Sequence, residues 1–303
     1  MLRHDKFLEY VSKDLEQYKY SNNYKSILEA HKEKLGIRDN KYENWIKKLI
    51  DFFNDNFFKS ENKENKIKIL DFGSGTGELV VQMNISGANA KGVELHKKHL
   101  KFSKILAEEN YLDPDIFIKG ENKRLNFKDN EFDCTTLFSV LEHIDDENFD
   151  WIFNEIRRVT KKCIYILVPN PIKLRDDHTG LLFINYMPRF LALFYLKFVS
   201  KKFKYFLSDS GEWDVYYRFL PKLKKKFKML NMEINFPSDE LIFPSLESCP
   251  PIEGFGKKIN ILKKKIFVGL PFFRNFFLKL NVEKHFFYPY LNFYIDLRDD
   301  KKN

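Results

Sequence analysis

Cysteine is scarce in this chain. Cys134, Cys163 and Cys249 are the only three, too few for a disulfide framework or a four-thiolate zinc site. A reducing compartment is the simpler expectation. Long apolar runs are also missing, and no window reaches the roughly 18 uncharged apolar residues of a spanning helix. The nearest, Pro188–Val199, is interrupted by Arg189 and Lys197. The opening MLRHDKFLEY is charged within its first six residues and has no apolar core of a leader peptide. A cytoplasmic protein, at most peripheral to the inner face of a membrane, is expected. Glycine is sparse too: twelve in 303 residues, about 4% against about 7% in an ordinary protein. Any cluster of glycines therefore carries weight.

What is present is a large apolar and aromatic complement. Apolar residues make up 44% of the chain, and 32 Phe with 15 Tyr dominate the aromatic 17%. That is ample for a core and excludes global disorder. The net charge of +9 raises a nucleic-acid partner as a question. The basic residues lie in Lys-rich helical stretches rather than in a recognisable RNA-binding module, so that reading stays secondary. The sequence fixes no oligomeric state.

Periodicity divides the chain. Residues 1–60 read as a helical segment, with Ile46, Ile50, Phe53 and Phe57 at helical spacing. A polar linker over 60–66 leads into the main domain, 61–303. Short β-rich runs at Ile67–Phe72, Asn89–Glu94, Ile116–Lys119, Phe132–Phe138 and Cys163–Val168 alternate with helical stretches. Such alternation argues for a mostly parallel α/β sheet covered by helices on both faces. Loops that leave the strand C-termini then share one ligand-binding edge. Two aromatic, helical excursions interrupt the pattern at about 170–215 and 237–285. Between them come a basic helix, Leu220–Leu230, and a strand candidate, Met232–Phe236; Tyr288–Leu297 reads as the last strand.

The strongest signal is Ile69-Leu-Asp-Phe-Gly-Ser-Gly-Thr-Gly-Glu78. An apolar strand ends in Asp71, and Gly73, Gly75 and Gly77 follow at every second position around Ser74. Glycines at a strand end let backbone wrap closely around a ligand. The spacing differs from the dinucleotide G-x-G-x-x-G and lacks the Lys-Ser/Thr of a phosphate loop. The second strand ends in Glu94, followed by Leu95, where a carboxylate can accept hydrogen bonds from two ribose hydroxyls. Gly120-Glu121-Asn122 follows the third strand and offers groups for an adenine amino function.

Together these residues resemble the class I S-adenosylmethionine-dependent methyltransferases. The match covers about 66–170. Phe138-Ser-Val-Leu-Glu-His-Ile144 and Ile166-Leu-Val-Pro-Asn-Pro171 narrow it to a branch with ubiquinone-biosynthesis O-methyltransferases and other small-molecule, glycan and lipid methyltransferases. The resemblance implies a Rossmann-like seven-stranded sheet with an antiparallel last strand, and S-adenosyl-L-methionine as cofactor. Asp71, Gly73 and Gly75 would face its methionine part, Glu94 the ribose, and Glu121 or Asn122 the adenine. Phe138 and Ser139 would line the sulfonium.

On the acceptor side, Asp177-His178 leaves the fifth strand at the ligand edge, and His143 follows the fourth. An imidazole titrating near neutrality can take a hydroxyl proton, with a neighbouring carboxylate to orient the acceptor. His178, Asp177 and His143 are therefore the catalytic candidates. Glu142 and His143 are read as capping the helix after the fourth strand, so no metal is expected. The function expected is methyl transfer to a small-molecule, glycan or lipid-linked acceptor, at oxygen. The alternatives are an RNA methyltransferase and a non-catalytic cofactor-binding subunit. Basic and aromatic residues interleave over Lys257–Lys284, which suits contact with an anionic membrane surface.

Overall fold

The computed structural model describes residues 2–16, 22–37, 39–58, 65–120, 124–173, 176, 178–199, 213–238, 241, 288 and 290–298. Three helices come first: α1 (Asp5–Leu15), α2 (Asn22–Lys34) and α3 (Lys41–Phe57). Then β1 (Lys68–Phe72), α4 (Glu78–Ile85), β2 (Asn89–Glu94), α5 (Lys97–Glu109), β3 (Phe117–Lys119) and β4 (Phe132–Phe138) alternate. They are followed by α6 (Phe149–Val159), β5 (Thr160–Pro169), α7 (Arg189–Val199), α8 (Leu220–Met229) and β6 (Tyr290–Asp296).

The strands form one sheet in the order β3-β2-β1-β4-β5-β6, with β6 antiparallel to β5 and the other pairs parallel. Alternation along β5 divides the core in two. Cys163, Tyr165 and Leu167 join α1, α3, α4 and α5 on one face, where Phe7, Trp45, Leu49 and Phe53 are buried. Ile164, Ile166 and Val168 face α6 and α8 on the other, around Phe149, Phe153, Phe227 and Phe293. Helices thus cover both faces, and the N-terminal segment shares its core with the sheet.

The expected seven strands are six among the described residues. Met232–Phe236 contributes only an isolated bridge, in which Asn235 and Tyr294 exchange two backbone hydrogen bonds of 2.8 Å each. Pro237 follows with no N–H to extend a ladder. Of the two excursions, the first includes α7 after a short 3-10 turn at Ile184–Tyr186. The second, with the basic-aromatic stretch Lys257–Lys284, falls almost wholly outside the described residues. Among the described residues no helix is long and apolar enough to cross a membrane.

Candidate functional site

The glycine loop is bent by backbone that only glycine adopts freely. Gly73, Gly75 and Gly77 have φ of +77°, +55° and +88°, the left-handed region disfavoured for side-chain-bearing residues. Gly77 is doubly required: a Cβ there would lie 2.6 Å from both Phe117 and Ser103, so α4 could not start this close to β3 and α5. Gly75 is the opposite case, since nothing lies within 4 Å of where its Cβ would be. The middle of the loop therefore presents bare backbone to open space at the C-terminal edge of β1.

Glu94 ties the loop to β2. Its buried carboxylate accepts from the Gly75 N–H at 2.7 Å through Oε2 and from the His96 N–H at 2.8 Å through Oε1. A carboxylate has about four acceptor positions, so two more donors can be received. Asp71 sits behind the loop, 2% exposed, and Oδ1 accepts from the Thr136 hydroxyl at 2.8 Å. Burial pushes its carboxyl up to about 7; the Glu94 charge adds to the rise, while the Thr136 bond and Lys34 oppose it. Ser74 Oγ is buried with no hydrogen-bond partner among the described residues. Leu95 is exposed, and its side chain closes over Gly120. Glu121 and Asn122 lie outside the described residues.

Glu78, the first residue of α4, received no role from the sequence. It is buried, 2.5 Å from His31 Nδ1 on α2 and 2.7 Å from the Thr76 hydroxyl. Burial alone would raise its carboxyl, but the Lys34 charge and the His31 bond outweigh that and hold it at about 2. No local pattern could have revealed this pairing, because its partners lie 47 residues apart.

A second group of functional side chains gathers past the ends of β4 and β5. Phe138 ends β4, half-buried, and packs edge-on against Trp45 with ring centroids 5.2 Å apart. Ser139 turns the chain off the sheet at φ +56°, its N–H bonded to the Leu167 carbonyl at 2.8 Å. Glu142 and His143 follow. The chain after Pro169 returns through a turn in which Asp176 accepts from the Thr179 N–H and hydroxyl. This turn brings His178 to the same place: its ring centroid is 5.4 Å from that of His143, and its Nε2 is 3.8 Å from Glu142 Oε1. Asp177 lies outside the described residues.

Two residues that the sequence did not single out complete this group. Asp214 Oδ2 lies 3.4 Å from His143 Nδ1. Burial would lower the His143 pKa, but the Asp214 bond and the Glu142 charge prevail and raise it. Arg218, buried, bonds the Leu141 and Ile144 carbonyls and Asp146, pinning the loop after β4. A cavity lined by Leu141, Glu142, Pro169, His178, Tyr216 and Arg218 opens beside them.

Comparison with known proteins bears on the first group. A family model described as a methyltransferase domain matches residues 70–167, the span from β1 through most of β5. A putative methyltransferase of Geobacillus sp. (strain WCH70) is 27% identical over 121 residues, covering 40% of this chain and 46% of the relative. The ubiquinone biosynthesis O-methyltransferase of Pelagibacter ubique is 29% identical over 103 residues, 34% of this chain and 41% of the relative. The chain thus spans under half the length of these curated relatives. Among solved structures, the YcgJ protein of Bacillus subtilis is similar at a TM-score of 0.43 and 17% identity, covering 64% of this chain and 70% of that one. A magnesium protoporphyrin IX methyltransferase from Synechocystis, solved with bound SAH, is similar at a TM-score of 0.42 and 13% identity, covering 67% and 80%.

Proposed function

We propose, from the premise that residues 70–167 match a methyltransferase domain, that the chain moves the methyl group of S-adenosylmethionine to an oxygen of a small-molecule or lipid-linked acceptor. The observation that carries the cofactor half is the clamp between Gly75 and Glu94. The residues present fit the group: open space at Gly75, a buried Ser74 hydroxyl without a partner among the described residues, and spare acceptor capacity on Glu94. When bound, S-adenosylmethionine supplies a methyl on a positively charged sulfur.

The chain's own residues then have separable tasks. Glu94 receives the two ribose hydroxyls, and its charge strengthens both bonds. Asp71 attracts the positive charge of the methionine part through the glycine loop. The loop backbone excludes water from one side, and positioning of this kind supplies much of the acceleration in a displacement reaction. On the acceptor side, His143 and His178 are the groups offered to an oxygen that must lose its proton.

A lipid-linked acceptor is favoured by α7. Its Phe190, Phe194 and Phe198 are 70%, 61% and 70% exposed. Lys197 shares this face, and Lys201, Lys202 and Lys204 follow in the sequence. An aromatic face that carries Lys197, with three more lysines soon after it in the sequence, matches an anionic lipid surface. The test is turnover of methyl-labelled cofactor with lipid, small-molecule and RNA fractions of a cell extract. Label in the lipid or small-molecule fraction is expected; label confined to RNA, or no transfer, overturns the reading.

A further inference from the structure

Glu142, His143 and His178 come from two separate loops, yet one ligand atom from each lies within 4.8 Å of the others. We propose that these three side chains bind a divalent transition-metal ion, with Asp214 orienting His143. This assignment concerns ion binding, does not depend on methyl transfer, and takes His143 and His178 as ligands in place of the proton-accepting role given them above, because an imidazole nitrogen bound to a metal has no lone pair left for a proton. It replaces the expectation drawn from sequence, in which Glu142 and His143 merely cap the following helix.

Four features converge on it. Two imidazoles and one carboxylate form a donor set that suits ions of the manganese-to-zinc series and not the oxygen-seeking Mg²⁺ or Ca²⁺. Glu142 is 4% exposed, and the charge of a bound ion would offset the cost of burying its carboxyl group. His178 Nε2 already faces Glu142 Oε1 at 3.8 Å. At metal–ligand bonds near 2.1 Å, neighbouring donors lie about 3–4 Å apart, so closing the set requires movements of about 1 Å. The fourth feature is the Asp214 carboxylate on His143 Nδ1. Metal-bound histidines nearly always give their second nitrogen to a carboxylate or carbonyl, which fixes the tautomer and turns Nε2 toward the ion.

The surroundings hold the set in place. Arg218 fixes the loop that carries Glu142 and His143, and it is engaged by Asp146 and two carbonyls. The Tyr216 N–H bonds the Glu142 carbonyl at 2.7 Å, bringing the Asp214 strand of chain against that loop. The Asp176 turn orders the approach of His178. Glu142 and Asp214 bring two carboxyl groups to the pocket, one as a ligand and one behind His143. Three protein ligands leave further coordination positions to be filled, and a small cavity adjoins Glu142 and His178.

The test is titration of the full chain, free of any polyhistidine tag, with Co²⁺. One equivalent is expected to bind and to give visible d–d absorption, without the near-ultraviolet thiolate band that cysteine ligation produces. His178→Ala should weaken binding by about a hundredfold or more, and Glu142→Gln likewise. Asp214→Asn should weaken it about 10–100-fold while keeping the visible spectrum. Glu142→Asp, which keeps the charge and the ligand type, guards against loss of binding through misfolding and should retain the spectrum. Near-ultraviolet circular dichroism reports the fold of each variant. Failure of the wild type to bind Co²⁺, a thiolate band, or equal affinity in His178→Ala overturns the site.

Discussion

The Gly75 amide donates to Glu94 Oε2 at 2.7 Å, linking the loop after β1 to the last residue of β2. One carboxylate thereby shapes the loop and faces the space in front of it. Glu94→Ala removes both roles, and each lost charge-assisted bond to a ribose hydroxyl is worth about 1.5–3 kcal/mol. Calorimetry with S-adenosylhomocysteine should show affinity reduced at least tenfold, with the fold intact by circular dichroism. Equal affinity in wild type and variant rules out the ribose role.

Asp71 gives the site a pH dependence. Its carboxyl rises from an ordinary 3.8 to about 7 because it is buried. A carboxyl raised on folding favours the folded state in its protonated form. Its contribution to stability is full below about pH 4 and is lost as pH climbs to about 7. Binding of a positively charged ligand runs the other way, because it needs the ionised form. Affinity for S-adenosylmethionine should therefore increase with pH, by up to about tenfold per unit below 7, and level off above it. Asp71→Asn should flatten both the binding and the stability profiles. An affinity that does not change between pH 5.5 and 7.5 would show that Asp71 is already ionised.

Glu78 and His31 fasten the N-terminal helices to the glycine loop. The folded Glu78 carboxyl stands at about 2 against an ordinary 4.5. A carboxyl lowered on folding stabilises the fold above its unfolded value, and that stability disappears as pH falls from 4.5 toward 2. His31→Ala should lower the urea-unfolding free energy at pH 7 by about 1–3 kcal/mol. The deficit should shrink at pH 2.5, where Glu78 begins to protonate. A deficit independent of pH would mean that His31 acts through packing against Phe7 and not through the carboxylate.

The difference between the legible and the hidden parts of this molecule is one of range. β1, its glycine loop and Glu94 could be read directly, because strand period, positive-φ glycines and the acidic residue at the end of β2 are all local signals. β4 and β5 were legible as apolar runs buried on both faces. Met232–Phe236 misled, since its alternation is that of a strand, while ladder formation depended on a neighbour at Tyr294 and on Pro237. The partnerships of Glu78 with His31 and of His143 with Asp214 leave no mark in either segment. They exist only because α2 crosses over α4, and because the chain after α7 returns past the end of β4. Glu142 was visible in the sequence, but its closeness to His178 depended on the turn built by Asp176.

The outer face of α7 yields the last expectation. Ala192 and Leu196 anchor the helix inward with Trp213 and Val215, so it is held against the protein by its opposite side. Phe194 and Phe198 stack with centroids 4.3 Å apart on the outer side. Full transfer of one Phe side chain out of water is worth about 1.5–3 kcal/mol, so two of them account for a factor of about 100 or more in partitioning. The chain should sediment with vesicles containing phosphatidylglycerol at low salt, and less with neutral vesicles. High salt should weaken the contribution of Lys197 and its neighbours within a Debye length of about 8 Å or less. Phe194→Ser with Phe198→Ser should abolish sedimentation and leave cofactor affinity unchanged, because neither residue touches the glycine loop or the Glu142 group. If the wild type stays in the supernatant with anionic vesicles, α7 does not face lipid, and the lipid-linked acceptor loses its support while the cofactor site stands.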